Sequence, residues 1–288
     1  MAQLIPGLKE YVRPQSVDEA LGFLSRGDVE TRLYAGATSL AFSRPAVERV
    51  IDLTRLPLSA IEITQDSLEI GALTSIRDLE RHPLIQSFCG GILRQACDRL
   101  ASTPLRNLIT AGGNLLGGFP WSDLPAAFLT LDAELRVVSA EGNSVRPMAP
   151  KGIVKRHDMI QTSEILTGIR LPTDRAGRRG AFIKLAKTTV DFGIVVGAVS
   201  FGIDSGGRIL DPRVACGSVT AEAMRIRQAE ELLSGQDPSD ELFELAGRAA
   251  ATAITPRADT RAPEDYRREM LGVTVTRALV AAWKGGRA

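Results

Sequence analysis

Two short runs of small, hydroxyl-bearing residues carry most of the chemistry this sequence offers. The first is Ala35-Gly36-Ala37-Thr38-Ser39. The second is Thr110-Ala111-Gly112-Gly113-Asn114, with a further glycine pair at Gly117 and Gly118. Glycine admits positive φ and lets a backbone come close to a ligand. Successive N–H groups in such a turn make a concave anion site, and neighbouring hydroxyls or amides add donors. Asp123 follows at the head of an apolar segment, 124–131, where a carboxylate can accept from a hydroxyl. Ser122 or Asp123 reads as the N-cap of that helix, and Pro125 suits its first turn. A phosphate-bearing ligand fits these residue types. On the residues alone, an ordinary glycine-rich surface turn before a helix fits equally well. Neither run has GxGxxG spacing, which argues against a Rossmann dinucleotide site.

Other chemistries find little support. The three cysteines, Cys89, Cys97 and Cys216, form no CxxC pair, so neither a zinc site nor a cysteine-ligated iron–sulfur cluster is expected. His82 and His157 sit beside polar or turn-forming residues and read as surface or helix-end groups. No Ser/His/Asp or Cys/His constellation is evident. A net charge of +1 over 288 residues removes the electrostatic case for nucleic acid or an anionic membrane. No apolar run has membrane-spanning length and the N-terminus lacks a signal-peptide core, so a cytoplasmic location is expected.

The elements that must position the two runs alternate along the first half of the chain. Ser16 to Glu19 is a capping box, and Val17, Ala20, Leu21 and Leu24 line one helical face. Strands are expected at 32–34 and 50–53, a hairpin at 61–63 and 68–70, a helix after Ser75, a helix over 92–100 and a strand at 134–139. Residues 172–180 are polar, with proline, glycine and four charges, and read as a solvated linker that includes Arg175, Arg178 and Arg179. Strands at 182–187, 194–203 and 208–219 follow, then helices at 221–233, 239–254 and 264–283. Strands followed by helices read as a separate α+β unit. Residues 265–269 read as an exposed helix face. Trp121 reads as buried against the helix that follows it, with adenine packing as the alternative.

Taken together, the opening residues 11–24, the run 35–40, the stretch 106–114, Ser122-Asp123-Leu124-Pro125, Glu164-Ile165-Leu166, Lys184, Asp191-Phe192 and Cys216-Gly217-Ser218-Val219 resemble the FAD-binding medium subunit of the molybdenum hydroxylases. That family includes the flavin units of xanthine dehydrogenase and carbon monoxide dehydrogenase. The resemblance spans nearly the whole chain. It implies an α+β protein: a two-subdomain FAD-binding unit of the vanillyl-alcohol oxidase (PCMH) type over 1–175, divided at about 57, then a C-terminal α+β domain over 176–288 with an antiparallel sheet and helices. It places Leu33, Tyr34, Ala35, Gly36, Ala37, Thr38 and Ser39, together with Thr110, Ala111, Gly112, Gly113 and Asn114, on the FAD pyrophosphate and ribityl region. Asp123 would accept from a sugar-type hydroxyl. Leu100 and Leu166 would pack against the cofactor, Lys184 would add a donor or positive charge, and Phe192 would lie near the isoalloxazine.

The resemblance also implies a role. The chain would pass electrons through FAD from iron–sulfur clusters to an external acceptor, with no catalytic residue and no metal of its own. The [2Fe-2S] clusters and the molybdopterin cofactor would lie on a small and a large partner subunit, in a heterotrimer that is often doubled. Three positions depart from the family pattern. Ala37 stands where a second glycine is common, Ala111 where isoleucine is common, and Lys187-Thr188-Thr189 where arginines often follow the family lysine. A self-sufficient flavoenzyme of the same fold, or a flavin-free assembly protein, are the alternative readings at this point.

Overall fold

The computed structural model describes residues 7–38 and 47–285. The chain opens with strand β1 (Glu10–Val12), helix α1 (Val17–Leu24), β2 (Thr31–Tyr34) and β3 (Arg49–Asp52), which form a parallel sheet in the order β1-β3-β2. The expected capping box forms: Ser16 Oγ accepts from the Glu19 amide at 3.1 Å, and the Glu19 carboxylate accepts from the Gln15 amide at 2.6 Å. Ala20 and Leu21 of α1 turn inward onto Ile51, Leu53 and Leu56. Parallel strands need crossovers. The one from β2 to β3 carries the first small-residue run.

A five-stranded antiparallel sheet follows. Its elements are β4 (Ile61–Ile63), β5 (Ser67–Gly71), α2 (Ile76–Arg81), α3 (Pro83–Ser87), α4 (Ile92–Asp98), α5 (Thr103–Arg106), α6 (Ala111–Leu116), α7 (Leu124–Thr130), β6 (Glu134–Ser139), β7 (Gly142–Pro147), α8 (Arg156–Met159) and β8 (Ile165–Pro172). The strand order is β4-β5-β8-β6-β7. Leu68, Ile70, Leu135, Val137 and Ile169 of the sheet share a core with Ile76, Leu79, Ile92, Leu93 and Phe128 of the helices.

The third unit contains β9 (Arg179–Leu185), β10 (Val195–Ile203), β11 (Ile209–Gly217), β12 (Met224–Arg225), α9 (Arg227–Leu233), α10 (Asp240–Ala253) and α11 (Glu264–Gly285). Its sheet is antiparallel in the order β12-β11-β10-β9. Helices α10 and α11 cross where Gly247 meets Gly272; a Cβ on Gly247 would stand 2.6 Å from the Gly272 carbonyl oxygen. Every residue of α7 is buried. It packs on β10 and β11 and also on α4 and α6, and Ser200 Oγ of β10 donates to the Thr130 carbonyl at 2.6 Å.

Several expectations need correction. Residues 172–180 are not a solvated linker. A single turn joins β8 to β9, and Arg175 bonds Asp132 at 3.0 Å and Asp211 at 2.7 Å, while Arg178 bonds Asp211 at 3.1 Å. Asp132 also receives Arg213 and Arg225, so this junction is cross-tied by charge. The helix expected over 221–233 begins only at Arg227, because Met224 and Arg225 pair with Cys216 and Ala215 at the edge of β11. The face at 265–269 is not wholly exposed: Arg267 is 1% exposed. The cysteines are free and buried, and burial pushes the Cys89 and Cys216 thiols up to about 12. His82 closes α2, and His157 is exposed beside Asp158.

Candidate functional site

The first run leaves the end of β2 as an open turn. A Cβ on Gly36 would fall 1.7 Å from the Leu108 carbonyl oxygen and 2.7 Å from its carbon. No side chain fits there, so this glycine exists for close backbone approach. The two small-residue segments therefore touch, just ahead of Thr110. Ala37 holds φ 57, a left-handed conformation disfavoured for a residue bearing a Cβ. The amides of Gly36, Ala37 and Thr38 find no acceptor among the described residues. Leu33 packs toward the α1 core, and the Tyr34 ring stands edge-on to Tyr11. Ser39 lies outside the described residues.

The second run is not a loop. Residues 111–116 form α6, with Thr110 as its N-cap. Thr110 Oγ1 accepts from the Gly113 amide at 3.1 Å, and the Thr110 carbonyl accepts from Asn114 at 2.8 Å. The Ala111 amide donates to Thr74 O at 2.8 Å and the Gly112 amide to Ala72 O at 2.9 Å. All four leading donors of the helix are engaged within the protein, so the expected anion concavity is absent from this run. Neither Gly112 nor Gly113 has positive φ; Gly118 does, at 66°. Gly112 is needed for contact, since its Cβ would stand 2.9 Å from the Ala72 oxygen. Asn114 Oδ1 lies 3.4 Å from the Leu124 amide, at the start of α7. Leu100 and Leu166 sit in the core of the five-stranded unit.

Asp123 occupies the N-cap position of α7, yet its side chain makes no capping bond. Its Oδ2 instead accepts from Lys184 Nζ of β9 at 2.7 Å, and the same ammonium donates to the Arg99 carbonyl at 2.8 Å. Both side chains are nearly inaccessible, at 4% and 2% exposure. Asp123 Oδ1 is buried with no hydrogen-bond partner. Burial raises the Asp123 pKa to about 6, against the lowering pull of Lys184. This is a buried ion pair with one acceptor left over, which costs stability unless a donor reaches it.

Phe192 lies in the turn between β9 and β10 and is 58% exposed. Its ring sits 5.0 Å from that of Trp121, which stacks at 5.1 Å and 17° on Phe119. Trp121 is thus half-buried in an aromatic stack and is not sunk against α7. Two groups escaped the sequence reading. One is a cleft of about 220 Å³ between Phe119, Pro120, Ser122, Lys155, Arg156 and Glu222; only the basic run at 155–157 signalled it. The other is the set Asp259, Arg261 and Arg267, which touches the 193–194 carbonyls. Its spacing resembles an ordinary charged helix entry. Among the described residues, no group of His, Cys, Asp or Glu could hold a metal, and no helix is long and apolar enough to cross a membrane.

A family model described as the FAD binding domain in molybdopterin dehydrogenase matches residues 7–174, and one described as the CO dehydrogenase flavoprotein C-terminal domain matches 180–282. The chain belongs to the FAD-binding medium subunits of the molybdenum hydroxylases. Among its relatives, this medium subunit is 30% identical to the carbon monoxide dehydrogenase medium chain of Hydrogenophaga pseudoflava, over 97% of its own length and 99% of that chain. It is 28% identical to the nicotinate dehydrogenase FAD-subunit of Eubacterium barkeri, over 90% and 91%. Against a solved carbon monoxide dehydrogenase from H. pseudoflava lacking the Mo-pyranopterin moiety, the medium subunit superposes with a TM-score of 0.90 at 31% identity, covering 98% and 99% of the two chains. These relatives are oxidoreductase subunits, and FAD is the family's cofactor. Two features of the medium subunit fit that cofactor: a turn whose amides have no acceptor among the described residues and where a Cβ cannot enter, and a buried carboxylate oxygen without a donor.

Proposed function

We propose that this medium subunit binds one FAD and relays electrons from iron–sulfur clusters on a small partner subunit to an external acceptor. A large molybdopterin subunit would complete the assembly, a heterotrimer that pairs into a dimer. The reading divides the chain into a FAD-binding unit over 1–175, with subdomains meeting near 57, and a C-terminal domain over 176–288. When bound, FAD supplies reversible electron transfer. The chain's own residues supply place and polarity. The amides of Gly36, Ala37 and Thr38 donate to the diphosphate. The Leu108 backbone gives that turn its floor, and the Thr110 to Asn114 segment that follows contributes shape, since its leading amides are engaged elsewhere. Asp123 Oδ1 accepts from a cofactor hydroxyl, and Lys184 favours the ionised form that can accept. Leu100 and Leu166 make the apolar backing, and Phe192 flanks the ring system.

The observation that carries this reading is the partnerless Asp123 oxygen, buried beside its lysine. The test is to co-express the chain with its two candidate partners, purify the assembly and measure flavin per protein by absorbance. Near-stoichiometric FAD, lost in a folded assembly carrying Asp123→Ala, is the expected result. Full occupancy in that variant would overturn it.

A further inference from the structure

One buried guanidinium and one half-buried guanidinium hold the Phe192 turn from behind. Arg267, in the first turn of α11, donates to the Ile194 carbonyl at 3.1 Å and to the Ser218 carbonyl. The Ser218 amide in turn donates to the Pro120 carbonyl at 3.1 Å, so the backbone leading into Trp121 hangs from the same point. Arg261 donates to the Gly193 carbonyl at 2.7 Å, and its guanidinium lies 5.6 Å from the centre of the Trp121 ring. Asp259 joins the two: Oδ1 accepts from Arg267 at 2.5 Å and Oδ2 from Arg261 at 3.0 Å. Behind the turn there is no slack, because a Cβ on Gly193 would stand 2.8 Å from Ser218 Oγ.

The loop itself has few anchors. Among the described residues, the backbone of this loop is tied by two bonds, from the Asp191 amide to the Thr188 carbonyl at 3.4 Å and from the Ile194 amide to the Leu185 carbonyl at 2.7 Å. Phe192 projects into solvent with one ring neighbour among the described residues, Trp121. The Gly193 carbonyl, next to Phe192, and the Trp121 face are thus both met by a single side chain. We infer that Arg261, braced by Asp259 and Arg267, is a positioning residue that sets the tilted Phe192–Trp121 contact at the edge of the aromatic stack. It acts on the flavin site through that stack and touches no cofactor. Its fork geometry matters: a guanidinium can bond a carbonyl and a carboxylate in one plane and lie on a ring, which an ammonium cannot do. The role toward FAD rests on the function proposed above; the effect on the stack does not.

The experiment uses the full chain carrying Trp283→Phe, which leaves Trp121 as the sole tryptophan. Acrylamide quenching of Trp121 is measured without FAD for the parent, Arg261→Ala, Phe192→Ala and the double variant. Arg261→Ala should raise the quenching constant about twofold as a cation–π partner leaves and the ring is uncovered. The double variant should then exceed Arg261→Ala by little, because Phe192 is already displaced. An unchanged constant, or fully additive effects, would overturn the assignment. Arg261→Lys, which keeps the charge next to Asp259, guards against misfolding: it should behave like Arg261→Ala, and parent-like quenching in it would refute the fork argument. In a second arm, FAD dissociation should rise roughly twofold to tenfold in Arg261→Ala, the range an aromatic contact is worth. A shift in quenching with no FAD bound by any variant would leave the positioning role standing and remove the flavin reading. Tight FAD with unchanged quenching would do the reverse.

Discussion

In the first small-residue run, the amides of Gly36, Ala37 and Thr38 have no acceptor among the described residues. In the second, the amides of Ala111, Gly112, Gly113 and Asn114 all donate inside the protein. The compositions are nearly alike, and both contain a glycine where a Cβ would collide with a carbonyl oxygen. What differs is the neighbour. The second run lies beside the carbonyls of Ala72 and Thr74, which capture its first two donors, while Thr110 takes the next two as the N-cap of a helix. The first has the Leu108 backbone beneath it and, among the described residues, no acceptor for its amides. Small residues thus mark where two backbones meet, and the state of the amides separates one meeting from the other.

The largest expected effect breaks this comparison at its contact point. Gly36→Val should cost more than about 4 kcal/mol, or prevent folding, because the clash is with a fixed carbonyl. Gly112→Val, with its nearer atom at 2.9 Å, should cost about 1–3 kcal/mol. Urea unfolding of both ranks them, and a larger loss at Gly112 would show that the Gly36–Leu108 approach is not the tighter of the two. Next comes the buried pair. Removing one partner, as in Lys184→Met, should cost about 3–5 kcal/mol, while Asp123→Leu with Lys184→Met should recover most of it. A double-mutant cycle reads this directly.

The same pair has a pH signature. The Asp123 pKa is raised from 3.8 to about 6, so the folded state holds a proton more tightly than the unfolded chain. Its contribution is fully present below pH 3.8 and is lost as pH rises through about 6, on the order of 3 kcal/mol. Asp123→Asn should flatten the stability profile across that window; an identical slope in the variant would show that other groups set it. A smaller effect is expected at Thr110→Val, which deletes the α6 cap for about 1 kcal/mol and should leave the first turn's ligand contacts intact. The smallest is Ala37→Gly. Relief of a left-handed alanine should be worth about 0.5–1 kcal/mol, read as a raised thermal midpoint.

Local signals carried much of the fold. The box at Ser16 and Glu19 and the helix start at Ser75 each lie within one helical turn, and both form. The hairpin at 61–70 is equally local. What escaped the sequence depends on distant partners. Two glycines in series read as a loop until the Ala72 carbonyl takes the Gly112 amide and the Thr74 carbonyl that of Ala111. Arg267 reads as solvent-facing until three carbonyls and Asp259 surround it. Arg175 and Arg178 look like a hydrated stretch until Asp132 and Asp211 meet them. At the candidate site, the residue types were legible and their division of labour was not: Asp123 was visible as a carboxylate, but its lysine lies far along the chain.

Helix α7 has a consequence for how this protein can be divided. The two family models part between residues 174 and 180, yet α7 belongs to the first and is covered by strands β10 and β11 of the second. A fragment cut at that seam would bare the flank of α7 that those strands shelter, and would be sticky where the intact chain is sealed. The boundary that separates two stretches of text is not a boundary between two objects.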